Sequence, residues 1–447
     1  MADWRDGVVY QVYPRSFQDT DGDGIGDIAG IASRLDHLAE LGVDALWLSP
    51  VYPSPLADFG YDVSDHAAID PVYGTLADFD ALVAAAHARG LKVLMDVVAC
   101  HTSIEHRWFR EHPEWFVWSP VDGPPNNWTS AFGGPAWSRD ERSGRWYLHS
   151  FYPEQPDLDW NNPEVVEAMQ GVLRFWVERG VDGFLLEQER GRDLCRSRNW
   201  HEIGPALAAI RAAAGDALLI GEIYLPAARH AAYLEHLDRA FVFELLQSPW
   251  DLEIVRAAVA DGARPGAAWV LSNHDFGRLP SRVGRPNERA AAMLLLTLPG
   301  TAFAYQGDEI GLANGPGHDP PYDRMGRDSF RHPMQWDPSP GGGFTSDRPW
   351  LALVDPEDRN VAEQSREAGS TFTYWKQLIE LRRELDGPIE WVELGDRVLS
   401  FRRGRETVAI SFAGEPRPLP AGEVLLASAP LDGRSLPPHA GAIVRDA

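Results

Sequence analysis

Short apolar runs rich in β-branched and aromatic residues alternate with longer amphipathic stretches through most of the chain. The longer stretches, such as Asp78–Arg89 and Val165–Arg179, carry Ala, Leu and Arg at helical spacing. The short runs predict eight strands: Val8–Tyr13, Ala45–Ser49, Lys92–Val98, Gly183–Glu187, Leu218–Glu222, Phe241–Glu244, Trp269–Ser272 and Thr301–Tyr305. Eight strands joined by helical crossovers are typical of a (β/α)8 TIM barrel, so we expect an α/β fold of that architecture.

The alternation breaks after the third strand and again near the end of the chain. Residues 101–162 are rich in Trp, Pro, Gly and Asn and lack helical periodicity, which predicts an inserted B domain. From about Asp386 onward, short alternating runs such as Val398–Phe401 lie between Gly and Pro turns, which predicts a small C-terminal antiparallel β domain. The predicted organisation is barrel domain A at 1–100 and 163–385, B domain at 101–162 and β domain at 386–447.

Composition excludes several classes of partner. The net charge of −25 argues against nucleic acid and anionic membranes, since both select basic surfaces. The two cysteines, Cys100 and Cys195, do not make a disulfide framework. The N-terminus has no apolar signal segment and no apolar run reaches membrane-spanning length, so we expect a cytoplasmic protein. The sequence assigns no oligomeric state and indicates no organic cofactor.

Glu222 is a candidate general acid/base. It ends the predicted fifth strand directly after the apolar run Leu218–Gly221. A carboxyl at such a strand end is partly desolvated, which favours the protonated form that a general acid needs.

A second pattern is the acidic loop Asp19-Thr-Asp-Gly-Asp-Gly-Ile-Gly-Asp27. Carboxylates at alternate positions, with glycines for a sharp turn, suit a calcium loop. It is not an EF-hand, because Gly30 stands where the twelfth-position Glu would be.

The chain resembles glycoside hydrolase family 13, the α-amylase family, and is most similar to its oligo-1,6-glucosidase, α-glucosidase and trehalose synthase branch. The resemblance covers nearly the whole chain. It rests on these motifs: Val12-Tyr-Pro-Arg-Ser-Phe17, Phe59-Gly-Tyr-Asp62, Asp96-Val-Val-Ala-Cys-His101, Gln155-Pro-Asp-Leu-Asp159, Gly221-Glu222, Ser272-Asn-His-Asp275, Gln306-Gly-Asp-Glu309 and Pro333-Met-Gln-Trp336. It implies a retaining mechanism on α-glucosides, a small carbohydrate as the partner, and the barrel, B and C-terminal domains expected above.

The resemblance also implies roles for individual residues. Glu222 matches the family's proton donor, and Asp275 matches the third carboxylate, which grips sugar hydroxyls. The implied substrate-binding residues are Tyr61, Asp62, His101, Gln188, His274 and Arg278. The acidic loop matches a structural calcium or magnesium site, with Asp19, Asp21, Asp23, Asp27 and the backbone oxygen of Ile25 as its ligands.

The nucleophile strand departs from the family pattern. Glu187 stands where the family has a nucleophilic Asp, and its stem is one methylene longer, about 1.5 Å of extra reach. Leu185 replaces the Arg that would hold this carboxylate ionised, and the loss of that charge favours the protonated form, which cannot attack. Three further departures lie nearby, namely Cys100 for Asn, His66 for Tyr and Gln188 for a small residue.

Three functions are compatible with these residues. The first is a retaining α-glucosidase or α-glucosyltransferase on short α-glucosides, with Glu187 as nucleophile, Glu222 as acid/base and Asp275 as the third catalytic carboxylate. The second is a carbohydrate-binding homologue without catalysis, because of Leu185, Cys100 and Gln188. The third is an enzyme with shifted chemistry on a modified sugar or natural-product glycoside.

Overall fold

The apolar runs form strands, and eight of the strands close into a barrel. The structure is a computed structural model that describes residues 3–187 and 200–446, with the backbone alone at residues 187 and 200–203. The strands are β1 (Val8–Val12), β2 (Ala45–Leu48), β3 (Lys92–Val98), β4 (Trp137–Arg139), β5 (Trp146–Leu148), β6 (Gly183–Glu187), β7 (Leu218–Glu222), β8 (Arg239–Val242), β9 (Ala267–Val270), β10 (Thr301–Tyr305), β11 (Glu390–Trp391), β12 (Val398–Arg403), β13 (Glu406–Ser411), β14 (Arg417–Pro418), β15 (Glu423–Ala427), β16 (Ser435–Leu436) and β17 (Gly441–Arg445). The barrel order is β1-β10-β9-β8-β7-β6-β3-β2, and each neighbouring pair is parallel.

Helices connect most of the barrel strands. They are α1 (Ile28–Ser33), α2 (Leu35–Leu41), α3 (Leu76–Ala88), α4 (Arg107–Glu111), α5 (Pro163–Glu178), α6 (Trp200–Ala214), α7 (Phe243–Gln247), α8 (Leu252–Gly262), α9 (Leu279–Val283), α10 (Glu288–Thr297), α11 (Val361–Gln364) and α12 (Thr371–Arg382). Their starts follow local chemistry: Thr75 and Asp78 form a capping box at α3, and Asn162 caps α5 just before Pro163. The predicted (β/α)8 barrel is therefore confirmed.

The barrel interior is apolar. Leu94, Leu185, Ile220 and Trp47 belong to one buried cluster that fills it. Because parallel strands in register point their side chains to the same face, Leu185 lies beside Asp96 of β3. Near the carboxyl ends of these strands, the acidic side chain of Asp96 is thus next to the aliphatic side chain of Leu185.

Two segments stand apart from the barrel strands. Between β3 and α5 the chain forms the antiparallel β4–β5 pair. An isolated antiparallel β-bridge between His101 and Asp157 joins the start and the end of this segment. At the C-terminus, β11-β12-β13-β17-β15 form a separate antiparallel sheet, which confirms the expected β domain. The exact domain boundaries given above remain a prediction.

Strands β8 and β9 begin and end two residues before the predicted Phe241–Glu244 and Trp269–Ser272. The pairing of Ala240 with Ala267 opens the β8–β9 ladder, and helix α7 begins at Phe243. The prediction placed the strands on the large aromatic residues, whereas the small residues before them form the first pairs of the ladder.

Among the described residues, no helix is both long enough and apolar enough to cross a membrane.

Gly183 offers a test of how tightly the barrel closes at β6. A Cβ there would lie 2.7 Å from the backbone oxygen of Leu218 on β7, a contact that β6 and β7 cannot keep in register. We expect Gly183→Ala to lower the free energy of unfolding by about 1–3 kcal/mol in urea titrations. The control is Gly171→Ala in the middle of α5, where a Cβ meets nothing within 4 Å, and which should stabilise the protein by about 0.5–1 kcal/mol. Equal effects of the two substitutions would contradict this account of the barrel.

Candidate active site

The carboxyl ends of neighbouring barrel strands bring the predicted catalytic glutamates to one rim. Glu187 ends β6 and Glu222 ends β7, and the two residues are direct partners in the β6–β7 register. Glu222 is half-buried, and Tyr224 Oη donates a hydrogen bond to its Oε1 at 2.5 Å. The side chain of Glu187, and all of Gln188 and Cys195, lie outside the described residues.

Asp275 is held by two guanidinium groups. Arg327 Nη1 lies 2.8 Å and Arg331 Nη2 lies 3.2 Å from Asp275 Oδ1. Both arginines follow β10 and are buried, so two charge-assisted hydrogen bonds hold the Asp275 carboxylate. Neither arginine is predicted from the sequence, although Arg331 stands two residues before the Pro333 motif.

Arg327 also joins two further carboxylates. Its Nη2 lies 2.6 Å from Asp58 Oδ1 and its Nε lies 2.6 Å from Asp323 Oδ2. Asp58 belongs to the loop after β2, while Asp275 follows β9. One buried cation therefore ties three loops together at the rim.

A hydrogen-bond chain runs across the floor of the site. Gln11 Nε2 donates to His274 Nδ1 at 2.7 Å, which places the ring proton of His274 on Nε2. That nitrogen lies 2.7 Å from Tyr61 Oη, and Tyr61 donates to Asp96 Oδ2 at 2.9 Å. Burial lowers the pKa of His274 to about 4, so the ring is neutral at physiological pH.

In the sequence, Asp96 is only the first residue of a motif, whereas in the structure its carboxyl lies at the floor of the site. Its carboxyl accepts hydrogen bonds from two neutral donors, Trp47 Nε1 at 2.9 Å and Tyr61 Oη. Burial raises the pKa of Asp96 well above its ordinary value, and the charges of Glu222 and Asp275 raise it further. The sequence feature that could have identified Asp96 is an acidic residue within the apolar run Val93–Val98 of β3.

Two of the predicted sugar ligands are hydrogen-bonded within the protein. The Asp62 carboxylate is fully buried and accepts hydrogen bonds from Ser54 Oγ at 2.7 Å and from two backbone N–H groups at 2.9 and 3.0 Å. His101 is also buried, with Nε2 lying 2.9 Å from Gln155 Nε2 and 3.1 Å from the Tyr61 carbonyl oxygen. Both support the loops of the site, and their contact with sugar remains a prediction.

Arg278, which the resemblance implies as a substrate-binding residue, contacts backbone oxygens of the protein. Its guanidinium donates to the backbone oxygens of Gln306 and His332 and lies over the ring of Tyr305. The structure thus places Arg278 behind the rim, and Arg327 and Arg331 hold Asp275 instead. The path of the chain after Asp275 sets the position of Arg278, and the three-residue spacing in the sequence does not show it.

The acidic loop gathers three of its predicted metal ligands. Carboxylate oxygens of Asp19, Asp21 and Asp27 lie within 4.8 Å of one another, and Asp19 and Asp27 are buried. Three converging carboxylates fit a hard divalent cation such as Ca²⁺ or Mg²⁺. Asp23 is outside this group, and its Oδ1 accepts the backbone N–H of Ile25 at 2.7 Å.

A pair of neutral histidines connects the segment after β3 to the barrel. His66 Nε2 donates to the Val98 oxygen at 3.0 Å, so its Nδ1 is an acceptor. His106 Nδ1 accepts the N–H of Trp108, so its Nε2 is the donor toward His66 at 3.4 Å. Burial lowers the pKa of His66 to about 4 and that of His106 to about 2.

This geometry can be compared with known proteins. The family model for the alpha amylase catalytic domain matches residues 11–190 and 250–387, more than half of the chain. A probable alpha-glucosidase of Rhizobium meliloti (strain 1021) is 38% identical, over 92% of this chain and 89% of the relative. An oligo-1,6-glucosidase of Halalkalibacterium halodurans is 36% identical, over 85% of this chain and 83% of the relative. The solved structure of an alpha-glucosyl transfer enzyme, XgtA, aligns with a TM-score of 0.88 and 36% identity over 99% of both chains.

The chain therefore belongs to the α-amylase family, glycoside hydrolase family 13. Within that family it stands beside the α-glucosidases and oligo-1,6-glucosidases, and it is a glycoside hydrolase or transferase.

The buried histidine pair predicts a loss of stability in acid. The pKa of His66 in the folded state, about 4, lies below its ordinary 6.5, so the stability is complete above pH 6.5 and declines as the pH falls toward 4. Between pH 7 and pH 5, the wild type should lose about 2 kcal/mol more unfolding free energy than His66→Phe. Urea titrations at both pH values measure this difference. His318→Phe, at an exposed histidine, is the control that should follow the wild type, and parallel losses in all three proteins would exclude the proposed cause.

Proposed function

We propose that the protein is a retaining α-glucosidase or α-glucosyltransferase that acts on short α-glucosides. The observation that carries the proposal is the register of Glu187 with Glu222 at the ends of adjacent parallel strands. Neighbouring strands lie about 4.8 Å apart, which suits the separation of about 5–5.5 Å between the two carboxyl groups of retaining enzymes. The α-glucosidases and the glucosyl transfer enzyme among its relatives support the same class of substrate.

In the proposed first step, Glu222 donates its proton to the glycosidic oxygen while a Glu187 oxygen attacks the anomeric carbon. The C–O bond to the leaving group breaks, and a glucosyl ester forms on Glu187. In the second step, Glu222 takes a proton from water or from an acceptor hydroxyl, whose oxygen attacks the same carbon and releases Glu187. Two inversions return the α-configuration.

Asp275 and its arginines supply the fixed charge of this proposed mechanism. An ionised Asp275 accepts hydrogen bonds from sugar hydroxyls and stabilises the positive charge that develops on the sugar ring. Arg327 and Arg331 keep it oriented, because they hold Oδ1 at 2.8 and 3.2 Å. The preorganised pair means that little reorganisation is needed when charge develops.

A second function, sugar binding without catalysis, is favoured by one specific observation. Leu185 is buried beside Asp96 in the barrel interior, where the family resemblance leads us to expect an Arg. Burial raises the pKa of Asp96, and without that cation the field that would keep Glu187 ionised is weaker. An enzyme with shifted chemistry on a modified sugar is the third function compatible with this altered strand.

Product stereochemistry separates these functions. Purified protein is incubated with aryl α-glucosides, maltose, isomaltose, sucrose and trehalose, and early products are followed by NMR. We expect the α-anomer first, and a loss of about 10²–10⁴-fold in turnover of the disaccharides with Glu222→Gln. Glu187→Gln should abolish turnover, because an amide cannot form the glucosyl ester.

Glu380→Gln, at an exposed position of α12, is the matched control and should keep full turnover. First release of the β-anomer would reject retention and favour shifted chemistry. Sugar binding by calorimetry without turnover on any substrate would favour the binding homologue.

We also propose that the acidic loop binds a structural calcium ion, with magnesium as the alternative. The converging oxygens of Asp19, Asp21 and Asp27 support this, and Gly22 and Gly24 provide the left-handed turns between them. Bound metal would oppose the mutual repulsion of these carboxylates and brace the start of α1, which Asp27 caps. The metal is assigned no part in the reaction.

Metal removal tests this proposal. Calcium at about one hundred times its dissociation constant should raise the free energy of unfolding by about 2.7 kcal/mol over protein treated with chelator. Asp21→Asn should remove most of this calcium dependence in thermal scans, since Asp21 is the exposed member of the group. Asp261→Asn, at an exposed carboxylate of α8, is the control and should keep it. An unchanged melting temperature on chelation would overturn the site, and equal stabilisation by magnesium would assign the alternative ion.

A further inference from the structure

An imidazole and two carboxylates converge where the segment after β3 meets helix α5. His112 directly follows α4, Glu114 lies in the short 3-10 turn Pro113–Trp115, and Glu164 lies in the first turn of α5. One ligand atom of each side chain lies within 4.8 Å of the other two. The proposed mechanism uses none of these three residues, and the family resemblance assigns none of them to a site.

Hydrogen bonds of the surrounding chain keep the two carboxylates close together. The backbone N–H of Asp159 donates to the Trp115 oxygen at 2.7 Å, and Asn162 Nδ2 donates to the Glu114 oxygen at 3.1 Å. The side-chain oxygen of Asn162 accepts the backbone N–H of Glu164 at 2.9 Å. Asn162 is therefore bonded to both chain positions that carry the carboxylates, and the fold itself sets their separation.

The two carboxylates are not balanced by a basic side chain. Among the residues that the structure describes, no arginine or lysine forms an ion pair with Glu114 or Glu164, and the one ionic contact of Glu114 is with His112. Carboxylates held near one another repel, and a cation bound between them offsets that repulsion. The local charge therefore favours a positively charged ligand.

The ligand atoms favour a transition metal over calcium. Calcium and magnesium take oxygen ligands, whereas an imidazole nitrogen suits zinc and related divalent ions. Zn²⁺ holds imidazole nitrogen and carboxylate oxygen at about 2.0–2.2 Å, so two ligands at a tetrahedral angle lie about 3.4 Å apart. The distance from His112 Nδ1 to Glu114 Oε1 is 3.4 Å.

A buried tryptophan orients two of the three side chains. The ring of Trp115 is stacked on the ring of His112, with the centroids 4.2 Å apart and 16° between the planes. Its Nε1 donates to Glu164 Oε2 at 2.9 Å, which leaves the other oxygen of that carboxylate available. Metal ligands are held in place by contacts of this kind, and their loss weakens metal binding.

We propose that His112, Glu114 and Glu164 bind a Zn²⁺ ion that fastens the segment after β3 to helix α5. Three protein ligands leave the fourth tetrahedral position to water. Trp115 and Glu164 are 49 positions apart, so the ion cross-links parts of the chain that are distant in sequence. It stabilises the junction between the segment and the barrel and takes no part in glycoside chemistry.

Calorimetry with zinc chloride tests the site whether or not the protein turns over a glycoside. The full chain is first treated with chelator and then kept in excess calcium, which occupies sites made of oxygen ligands alone. We expect one Zn²⁺ per chain, and Co²⁺ at the same site should give the visible spectrum of a four-coordinate ion. His112→Ala and Glu164→Gln should each weaken binding by at least about 10-fold.

Trp115→Phe removes the N–H donor and keeps a ring beside His112, so it should weaken binding by about 10–100-fold. If this buried variant does not fold, the exposed substitution Glu164→Gln carries the same test. Glu178→Gln, at the other end of α5, is the matched control and should keep full affinity. Asp21→Asn should also keep it, which separates this site from the acidic loop.

Hydrogen exchange shows whether the ion fastens the junction. At one hundred times its dissociation constant, Zn²⁺ should slow exchange by up to about 100-fold for amides that open only when His112 and Glu164 separate. Residues 112–118 and the first turn of α5 should show this effect in the wild type, and His112→Ala should not. Absence of binding, or Zn²⁺ binding that His112→Ala and Glu164→Gln leave unchanged, which means an adventitious ion only, would overturn the proposal.

Discussion

The buried guanidinium of Arg327 is the constraint on which the geometry of the rim depends. It lies within 2.8 Å of carboxylate oxygens from Asp58, Asp275 and Asp323, which come from three different loops. Removing one partner from such a buried group leaves an uncompensated charge, which costs about 3–5 kcal/mol. The loops after β2, β9 and β10 are therefore interdependent, because Asp58 and Asp323 help to hold the guanidinium that contacts Asp275.

The distribution of charge around the site differs between its two sides. On the side of β9 and β10, Arg327 and Arg331 form ion pairs with Asp275. On the side of β3 and β6, Leu185 lies beside Asp96, whose described partners Trp47 and Tyr61 carry no charge. Burial raises the pKa of Asp96, and its hydrogen-bond donors at the floor of the site are neutral side chains.

Much of the fold could be predicted because it depends on local patterns. The strands β3, β6, β7 and β10 have the predicted bounds, since each is a compact apolar run that ends at a polar residue or turn. The starts of β8 and β9 could not be predicted, because the alanines that open their ladder have little strand preference of their own. The barrel register, which is a property of the whole sheet, decides those bounds.

The site was less predictable than the fold, because its decisive contacts are distant in sequence. Glu222 ends β7 as predicted, and His274 and Asp275 follow β9 by a few residues, but the pairing of Arg327 with Asp58 joins residues 269 positions apart. The loop that carries Arg327 has no periodicity from which its side chains could be oriented. The contacts of Asp62 illustrate the same limit, since its motif predicted a sugar ligand while its carboxylate accepts hydrogen bonds from its own loop.

These features together separate two requirements that a retaining active site normally meets on one strand. In the proposed mechanism the nucleophile is Glu187, whose backbone ends β6 in register with Glu222 of β7. Its ionisation is set by neighbouring charge, and the substitution at Leu185 removes that contribution from the barrel interior. Arg327 and Arg331 form ion pairs with acidic side chains, which offset most of their positive charge. Their electric field at β6 is therefore weak. For the proposed mechanism, the altered strand therefore changes the charge around Glu187, while the backbone register of β6 with β7 is kept.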